Sequence, residues 1–228
     1  MNDAMDGYHK YLRDAFSLLS AARRPLAMNE IADMGINRTT LSQLVETGWV
    51  ERPVRGVYHV PSEADDARVF WAALSLGYDT VFCLTSAAAY HGLTEEAAGI
   101  PDVAIPLRAR EPSRASLDIK VRFHRWPDAA RTADVATEVI QGVPVRITTP
   151  ERTVVDMFRH SELNDETVFV PIIQDTAFVD CLSRYLETGD QNQKSQDLRR
   201  VASDHGCWEA IQRYSSVVLM TRERMTPR

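Results

Sequence analysis

The chain has 228 residues, 44% of them hydrophobic and 25% charged, and its net charge at pH 7 is −6. A chain of this length buries a substantial core, as one large domain or as two smaller ones. No stretch approaches the roughly 18 uninterrupted apolar residues of a membrane span, and the N-terminal residues lack the apolar core of a signal peptide. We therefore expect a soluble cytoplasmic protein that does not contact membranes.

The cysteines and histidines are scattered. Cys83, Cys181 and Cys207 are widely spaced and have no CxxC partner. An odd number of cysteines without metal-type spacing indicates neither a disulfide framework nor a zinc site. The histidines likewise have no second ligand at metal spacing. We expect three buried thiols, no metal and no cofactor.

The net charge is unevenly distributed along the chain. Up to Ser62 there are seven basic and seven acidic residues, so the remainder carries the whole −6. A neutral module still binds nucleic acid when its arginines share one face. Because the phosphate contacts would be few, one copy is expected to bind DNA modestly, and useful occupancy would need copies on repeated sites.

The first elements predicted along the chain are two helices. Residues 8–22 place apolar side chains, Tyr11 and Leu18 among them, on one helical face. A short helix at residues 29–34 follows and contributes Ile31 and Met34 to the same core, and Gly35 makes the turn into the next helix.

The third helix, the recognition helix, is bounded by its own residues. Asn37 is its predicted N-cap, Leu41 and Leu44 form its apolar stripe with Val45, and Gly48 occupies the position of a left-handed C-terminal cap. Its free face is short and polar with a leading arginine, which suits a helix that contacts base edges in a major groove. The residues of that face are Arg38, Thr39, Thr40, Ser42, Gln43 and Glu46.

A β-hairpin, the wing, is predicted next. Residues 49–52 and 57–60 are rich in β-formers, and Gly56 in the connecting residues 53–56 can adopt positive φ. Arg52 and Arg55 at its tip are placed to contact phosphates without carrying sequence information. Residues 1–62 therefore predict a winged helix-turn-helix, with a domain boundary at Pro61-Ser62.

The second predicted domain, residues 63–228, is mixed. Helices at 63–76 and 85–93 precede strands at 102–107, 117–126, 138–140 and 143–147, which we expect to form a small antiparallel sheet. A helix capped by Thr149 and Pro150 follows, then helices at about 172–187 and 195–219 with an interruption at Gly206. Helices and strands that do not alternate predict an α+β fold.

Several stretches of the chain resemble AbiEi-type antitoxins, the DNA-binding components of type IV toxin–antitoxin pairs. The run GINRTTLSQLVETGWVERPVRGVYHVP from Gly35 resembles the winged helix of that family. LTSAAAYHGL is similar to the helix after its wing, TTPERTVVDMFRH to its central helix, and RRVASDHGCWEAIQRY to its C-terminal helices. The resemblance covers nearly the whole chain, but residues 161–178 depart from the shorter, more helical run of the family.

The resemblance implies a transcriptional autorepressor that binds repeats in its own promoter and has no catalytic step. Its second domain would neutralise a partner toxin of the nucleotidyltransferase type. The matching positions imply DNA contacts by Arg38, Thr39, Thr40 and Gln43 on the helix and by Arg52 and Arg55 on the wing.

Two other classes of function remain open from the sequence. One is a winged-helix transcription factor with a ligand-sensing second domain. The other is a metal-dependent nuclease, because Pro101-Asp102 and the later Asp118-Ile119-Lys120 satisfy the PD-(D/E)xK spacing. If the two strands pair antiparallel, Asp102 and Asp118 lie roughly 15 to 20 Å apart, too far to share one metal ion.

A basic stretch in the second half has two interpretations. Lys120, Arg122, His124 and Arg125 follow a loop that contains Arg108, Arg110 and Arg114. The stretch is either a solvated sheet edge protected from aggregation by charge or a contact surface for a toxin or flanking DNA. We favour the solvated edge, because alternation places Val121 and Phe123 inward.

Overall fold

The computed structural model describes residues 2–62, 67–95, 99–113, 116–117, 119–161, 176–187 and 189–225. Arg114, Asp118, the predicted helix start at residues 63–66 and most of the departing segment, residues 162–175, lie outside the described residues. The chain divides into two compact units. Within the described residues, no helix has the length and apolarity needed to cross a bilayer.

The first unit begins with three helices, three short strands and a fourth helix. Its elements are α1 (Asn2–Ala22), β1 (Leu26–Ala27), α2 (Met28–Asp33), α3 (Arg38–Glu46), β2 (Glu51–Val54), β3 (Val57–His59) and α4 (Ala67–Gly77). Its buried core includes Leu19, Ile31, Leu41 and Leu44. The predicted helices and hairpin are therefore present, with α1 starting earlier than its apolar pattern indicated.

Three apolar residues assigned to this core are in fact partly exposed. Tyr11 is 42% exposed, Leu18 is 50% exposed and Met34 is 38% exposed. The prediction was wrong for Leu18 because an α-helix packs only a narrow stripe, here Ala15 and Leu19, fully against its neighbours. Tyr11 instead donates a hydrogen bond from its hydroxyl to the carbonyl of Gly35 at 3.3 Å.

The three strands of this unit form an antiparallel sheet in the order β1-β3-β2. The hairpin turn consists of Arg55 and Gly56 alone, with φ at Gly56 of +80°. Pro53 and Val54, predicted in the connection, belong to β2 because Val54 pairs with Val57 across the turn. Strand β1 was not predicted, since two residues carry no periodic signal; it pairs with β3.

Helix α4 packs against β2 in the same unit. The unit comprises Met1–Thr80 together with Arg108–Lys120 and Thr137–Arg146, so it takes in more than the predicted residues 1–62. The independent folding of a domain that ends at Ser62 stays a prediction.

The second unit contains most of a five-stranded sheet in the order β6-β5-β4-β8-β7. The strands are β4 (Val81–Phe82), β5 (Asp102–Pro106), β6 (Arg122–Trp126), β7 (Val135–Ile140) and β8 (Val143–Thr148). Strand β4 pairs antiparallel with β5 but parallel with β8, and β5 pairs parallel with β6. The predicted antiparallel sheet is therefore a mixed one, because a long connection between β5 and β6 allows both strands to run in the same direction.

The helices of the second unit surround α6 (Pro150–Arg159). Its predicted cap is confirmed, because Thr149 accepts a hydrogen bond from the backbone N–H of Arg152. Helices α5 (Leu84–Tyr90), α7 (Thr176–Glu187) and α8 (Gln191–Asp204) pack against it, and α9 (Trp208–Met225) packs on α7 and α8. The protein is therefore α+β, as predicted.

An ion pair lies inside this helical layer. The guanidinium Nε of Arg152 donates to both carboxylate oxygens of Asp156, at 2.9 and 3.0 Å, and both residues are 1% exposed. The guanidinium also lies 5.1 Å from the ring centroid of Trp126 and donates to the carbonyl of Ala133. The i, i+4 spacing of the two residues favours an ion pair on one helix face, but nothing in the spacing indicates that the pair is buried.

Candidate nucleic-acid interface

The N-terminus of α3 is built as predicted. The side-chain oxygen of Asn37 accepts the backbone N–H of Thr40 at 2.9 Å, which satisfies one of the free N–H groups of the first turn. At the other end, Gly48 has φ of +75° and its N–H donates to the carbonyl of Val45. Leu41 and Leu44 are 1% exposed, so one side of α3 is anchored in the core.

The opposite side of α3 faces solvent. Arg38, Thr39 and Ser42 are exposed. Gln43 is half-buried, and its Oε1 is buried without a hydrogen-bond partner in the described part of the chain.

Thr40 does not belong to the exposed face. It is 4% exposed, and its hydroxyl donates to the side-chain oxygen of Asn37 at 3.1 Å. The prediction that Thr40 lies on the exposed face and contacts bases is wrong. The residue one turn before Leu44 is on the same side of the helix as Leu44 and points into the core. Thr40 holds the cap that orients Arg38 and Thr39.

The hairpin presents two arginines beside solvent. Arg52 on β2 and Arg55 in the turn are both exposed, while Val54 and Val57 behind them are at most 1% exposed. The carbonyl of Gly56 accepts the N–H of Met28, which ties the turn to the start of α2. His59 is buried, so it does not contribute to the surface that carries the arginines.

Three arginines of α3 and the hairpin have no acidic partner in the part of the chain that the structure describes. Arg38, Arg52 and Arg55 make no ion pair with any residue within the described ranges. Arg24 in the same unit is held by Glu30 at 2.5 Å, which shows that acidic partners occur there. Unpaired exposed guanidinium groups are suited to phosphate, which they bind bidentately.

An open groove of about 510 Å³ lies in the same unit. It is lined mainly by α1 and the residues that follow α3, with the rings of Phe16 and Trp49 edge to face at 5.2 Å. Gly48 and Trp49 follow the C-terminal end of α3, whereas Arg38 begins the helix. The groove is therefore separate from the polar face that Arg38 begins.

The candidate nuclease residue Asp102 is enclosed by its own neighbours. Its carboxylate accepts hydrogen bonds from Arg122 at 3.0 Å, His124 at 2.9 Å and the hydroxyl of Thr85, and the residue is 2% exposed. Burial raises the pKa of Asp102, but hydrogen bonds from His124 and Thr85 and the charge of Arg122 outweigh it, so the pKa lies below its ordinary value.

The antiparallel pairing expected for the strands of Asp102 and Asp118 is wrong, because β5 and β6 run parallel. Because β5 and β6 are parallel, Asp102 is level with Arg122, not with the far end of β6. Asp118 lies outside the described residues. No group of three His, Cys, Asp or Glu side chains suited to a metal ion occurs in the part of the chain that the structure describes.

The cluster of Asp102, Arg122 and His124 was not predicted from the sequence, although a local signal for it is present. Arg122 and His124 are two residues apart on a strand, so they project from one face of the sheet. Both side chains turn toward Asp102, which corrects the prediction that the charges of this strand simply point to solvent.

These features define a class of protein: an α+β protein in which a capped helix with a polar face is followed by a hairpin that bears exposed arginines. Residues 16–61 match a family model described as "Transcriptional regulator, AbiEi antitoxin". The resemblance to AbiEi antitoxins is confirmed for that segment, which contains α2, α3, β2 and β3.

The fold has a counterpart among solved structures. The chain is similar to the crystal structure of the RV2827C protein from Mycobacterium tuberculosis, with a TM-score of 0.56 and 18% sequence identity. The match covers 91% of this chain and 75% of that one. At this identity the similarity concerns the fold alone. No curated protein matches the chain.

Proposed function

We propose that residues 1–62 form a winged helix-turn-helix that binds double-stranded DNA, and that the protein is the antitoxin and autorepressor of a type IV toxin–antitoxin operon. The observation that carries the proposal is the set of three exposed arginines, Arg38, Arg52 and Arg55, without ion pairs among the described residues. They lie within the segment that matches the antitoxin regulators.

The proposed division of labour follows the exposure of the side chains. Arg38, Thr39, Ser42 and Gln43 contact base edges from α3, because a helix of this width enters a major groove with its first turns. Arg52 and Arg55 bind phosphates beside the groove and set the register of the helix. Repeated operator sites would supply the occupancy that a single neutral module lacks.

The second part of the proposal concerns the toxin. The description of the matching family as an antitoxin supports a protein partner, and the acidic remainder of the chain is the part left to meet it. We propose a nucleotidyltransferase-type toxin as that partner, and no catalytic step by this chain. The hydrogen bonds that Arg122 and His124 make to the carboxylate of Asp102 support a structural role for this residue, one of the two acidic residues whose spacing suggested a nuclease.

Binding to the chain's own promoter tests the DNA-binding function. Purified protein is titrated against a promoter duplex and a scrambled duplex over a range of salt concentrations. Arg52→Ala with Arg55→Ala should reduce the slope of log Kobs against log salt by about two for both duplexes. Arg38→Ala or Gln43→Ala should reduce the difference in binding free energy between the promoter duplex and the scrambled duplex by about 1 to 3 kcal/mol. Equal binding of wild type to both duplexes would contradict sequence-specific repression.

The antitoxin function is tested with the full chain. A fragment that starts at residue 63 would separate Arg108–Lys120 from the rest of its compact unit. A full-length variant with Arg38→Ala, Arg52→Ala and Arg55→Ala should therefore be expressed with the neighbouring toxin gene. We expect growth to be rescued although promoter binding is lost. Failure of both the variant and the wild type to rescue growth would refute the antitoxin role.

A further inference from the structure

A segment far along the chain lies against the hairpin of the first unit. Residues 108–120, the wing-flanking segment, belong to that unit although they follow β5. The backbone N–H of Arg55 donates to the carbonyl of Ser116 at 3.0 Å, and Leu117 forms an antiparallel bridge with Val54. Because β2 is an edge strand in the order β1-β3-β2, the segment covers the open edge of the sheet at its turn.

Two hydrogen bonds join Ser113 and Ser116 within the segment. The N–H of Ser116 donates to the carbonyl of Ser113 at 2.8 Å, and the two serine hydroxyls are 2.7 Å apart. These bonds shape the chain just before the bridge to Val54. Leu117 therefore extends the three-stranded sheet by one bridged residue beside β2, although it lies far along the chain from Val54.

The wing-flanking segment is basic and exposed. Arg108, Arg110 and Lys120 are all exposed, and none of them makes an ion pair within the described residues. Other exposed or partly exposed arginines of the described residues are paired with carboxylates, as Arg184 is with Glu95 and Arg200 with Asp134. Three further unpaired cations therefore belong to the unit that already presents Arg52 and Arg55.

We propose that the wing-flanking segment is a second phosphate-binding element, which extends the DNA contact of the wing along the duplex backbone. This inference rests on the proposed DNA-binding function. Charge complementarity argues for phosphate. Among the described residues, the segment and the wing present five exposed cations against two exposed acids, Glu51 and Glu111, in a protein whose net charge is −6.

A second phosphate-binding element would make DNA binding depend more steeply on the salt concentration. Each phosphate neutralised on B-DNA contributes a slope of about −0.9, so Arg52 and Arg55 alone would give about −1.8. With Arg108, Arg110 and Lys120 the slope becomes about −4.5. A single copy would then bind duplex DNA more tightly than the charge of residues 1–62 indicates.

The experiment measures that slope with the full-length protein, a duplex of its own promoter and a scrambled duplex of equal length. Arg108→Ala with Arg110→Ala should reduce the slope by about 1.8 and weaken binding to both duplexes by about tenfold or more at physiological salt. The ratio of the two affinities should not change, because phosphate contacts carry no sequence information. Arg199→Ala with Arg213→Ala, two exposed cations of the second unit, should leave the slope as in wild type.

The outcomes separate the inference from the function on which it rests. If the Arg52 and Arg55 variant loses slope but a folded Arg108 and Arg110 variant does not, the inference is overturned and the proposed function stands. If the Arg108 and Arg110 variant binds DNA as wild type does but no longer rescues the growth of cells that express the toxin, the inference is overturned and the segment contacts an acidic protein partner instead. If wild type binds no duplex, both the function and the inference fail.

Discussion

His124 and Asp102 lie on neighbouring parallel strands, and Nε2 of the imidazole is 2.9 Å from Oδ1 of the carboxylate. Arg122, which is level with Asp102 in the sheet, adds two further bonds to the same carboxylate. Asp102 also donates its backbone N–H to the hydroxyl of Ser86, so the start of β5 is tied to α5. Through Asp102 the cluster therefore joins β5, β6 and α5.

Acid should weaken the protein through Asp102. Its folded pKa lies below the unfolded value of about 4, so its ionised form stabilises the fold above that pH. This stabilisation is lost as the pH falls through the folded pKa. Asp102→Asn should therefore show a smaller loss of unfolding free energy between pH 7 and pH 3 than wild type, measured by denaturant unfolding. Asp128→Asn, at a carboxylate that is 90% exposed, is the control and should match wild type.

Removal of one partner of the buried Arg152–Asp156 pair should be severely destabilising. Arg152→Met leaves a carboxylate buried without its cation, which costs about 3 to 5 kcal/mol of unfolding free energy. Arg152→Met with Asp156→Leu should recover much of that loss, because no charge remains buried. The partly exposed pair of Arg184 and Asp180 provides the comparison, and Arg184→Met should change the thermal midpoint little. Equal losses at both pairs would contradict this account.

The cap of α3 should be separable by mutation from the exposed face that we propose contacts DNA. Asn37→Ala removes the acceptor for the N–H of Thr40 and should cost about 1 kcal/mol of unfolding free energy. Asn37→Asp keeps an acceptor at the same position and should retain nearly all the stability. Thr39→Ala should leave the unfolding free energy unchanged while altering base preference. Loss of stability in the Thr39 variant would show that its side chain is structural.

The contact between α4 and β2 should tolerate no side chain at residue 77. A Cβ on Gly77 would lie 2.8 Å from Cγ1 of Val54, a fully buried β-branched side chain with little freedom to move. Gly77→Ala should cost about 1 to 3 kcal/mol of unfolding free energy. Gly99→Ala is the matched control, because a Cβ there meets nothing within 4 Å. An unchanged denaturation midpoint for Gly77→Ala would mean that α4 shifts freely on β2.

The three cysteines should be inert in the folded protein. All are free and buried, and burial raises the pKa of Cys181 to about 12 and raises those of Cys83 and Cys207. Because the thiolate is the reactive species, a thiol reagent at pH 8 should modify no cysteine in the native state. Three thiols should react once the chain is unfolded. Rapid labelling of native protein would show that one of these sites opens.

Much of the first unit was predictable because its signals are local. The cap at Asn37, the positive-φ glycines at positions 48 and 56 and the apolar pair Leu41 and Leu44 each act within a few residues. The burial of Thr40 was not predictable in this way, because a polar side chain in the first turn of a helix can be buried when it forms a hydrogen bond with the cap residue.

The sequence by itself determined most of the helices, the caps of α3 and α6 and the positions of the arginines on α3 and the hairpin, since propensity, capping and period act on neighbouring residues. Only the tertiary structure decided which strands pair in parallel and which charges meet, because pairing brings together residues far apart in the chain. That is why Asp102 lies beside Arg122 and His124, and why residues 108–120 lie beside Val54 and Arg55. Loop closure over such distances leaves no local pattern in the sequence.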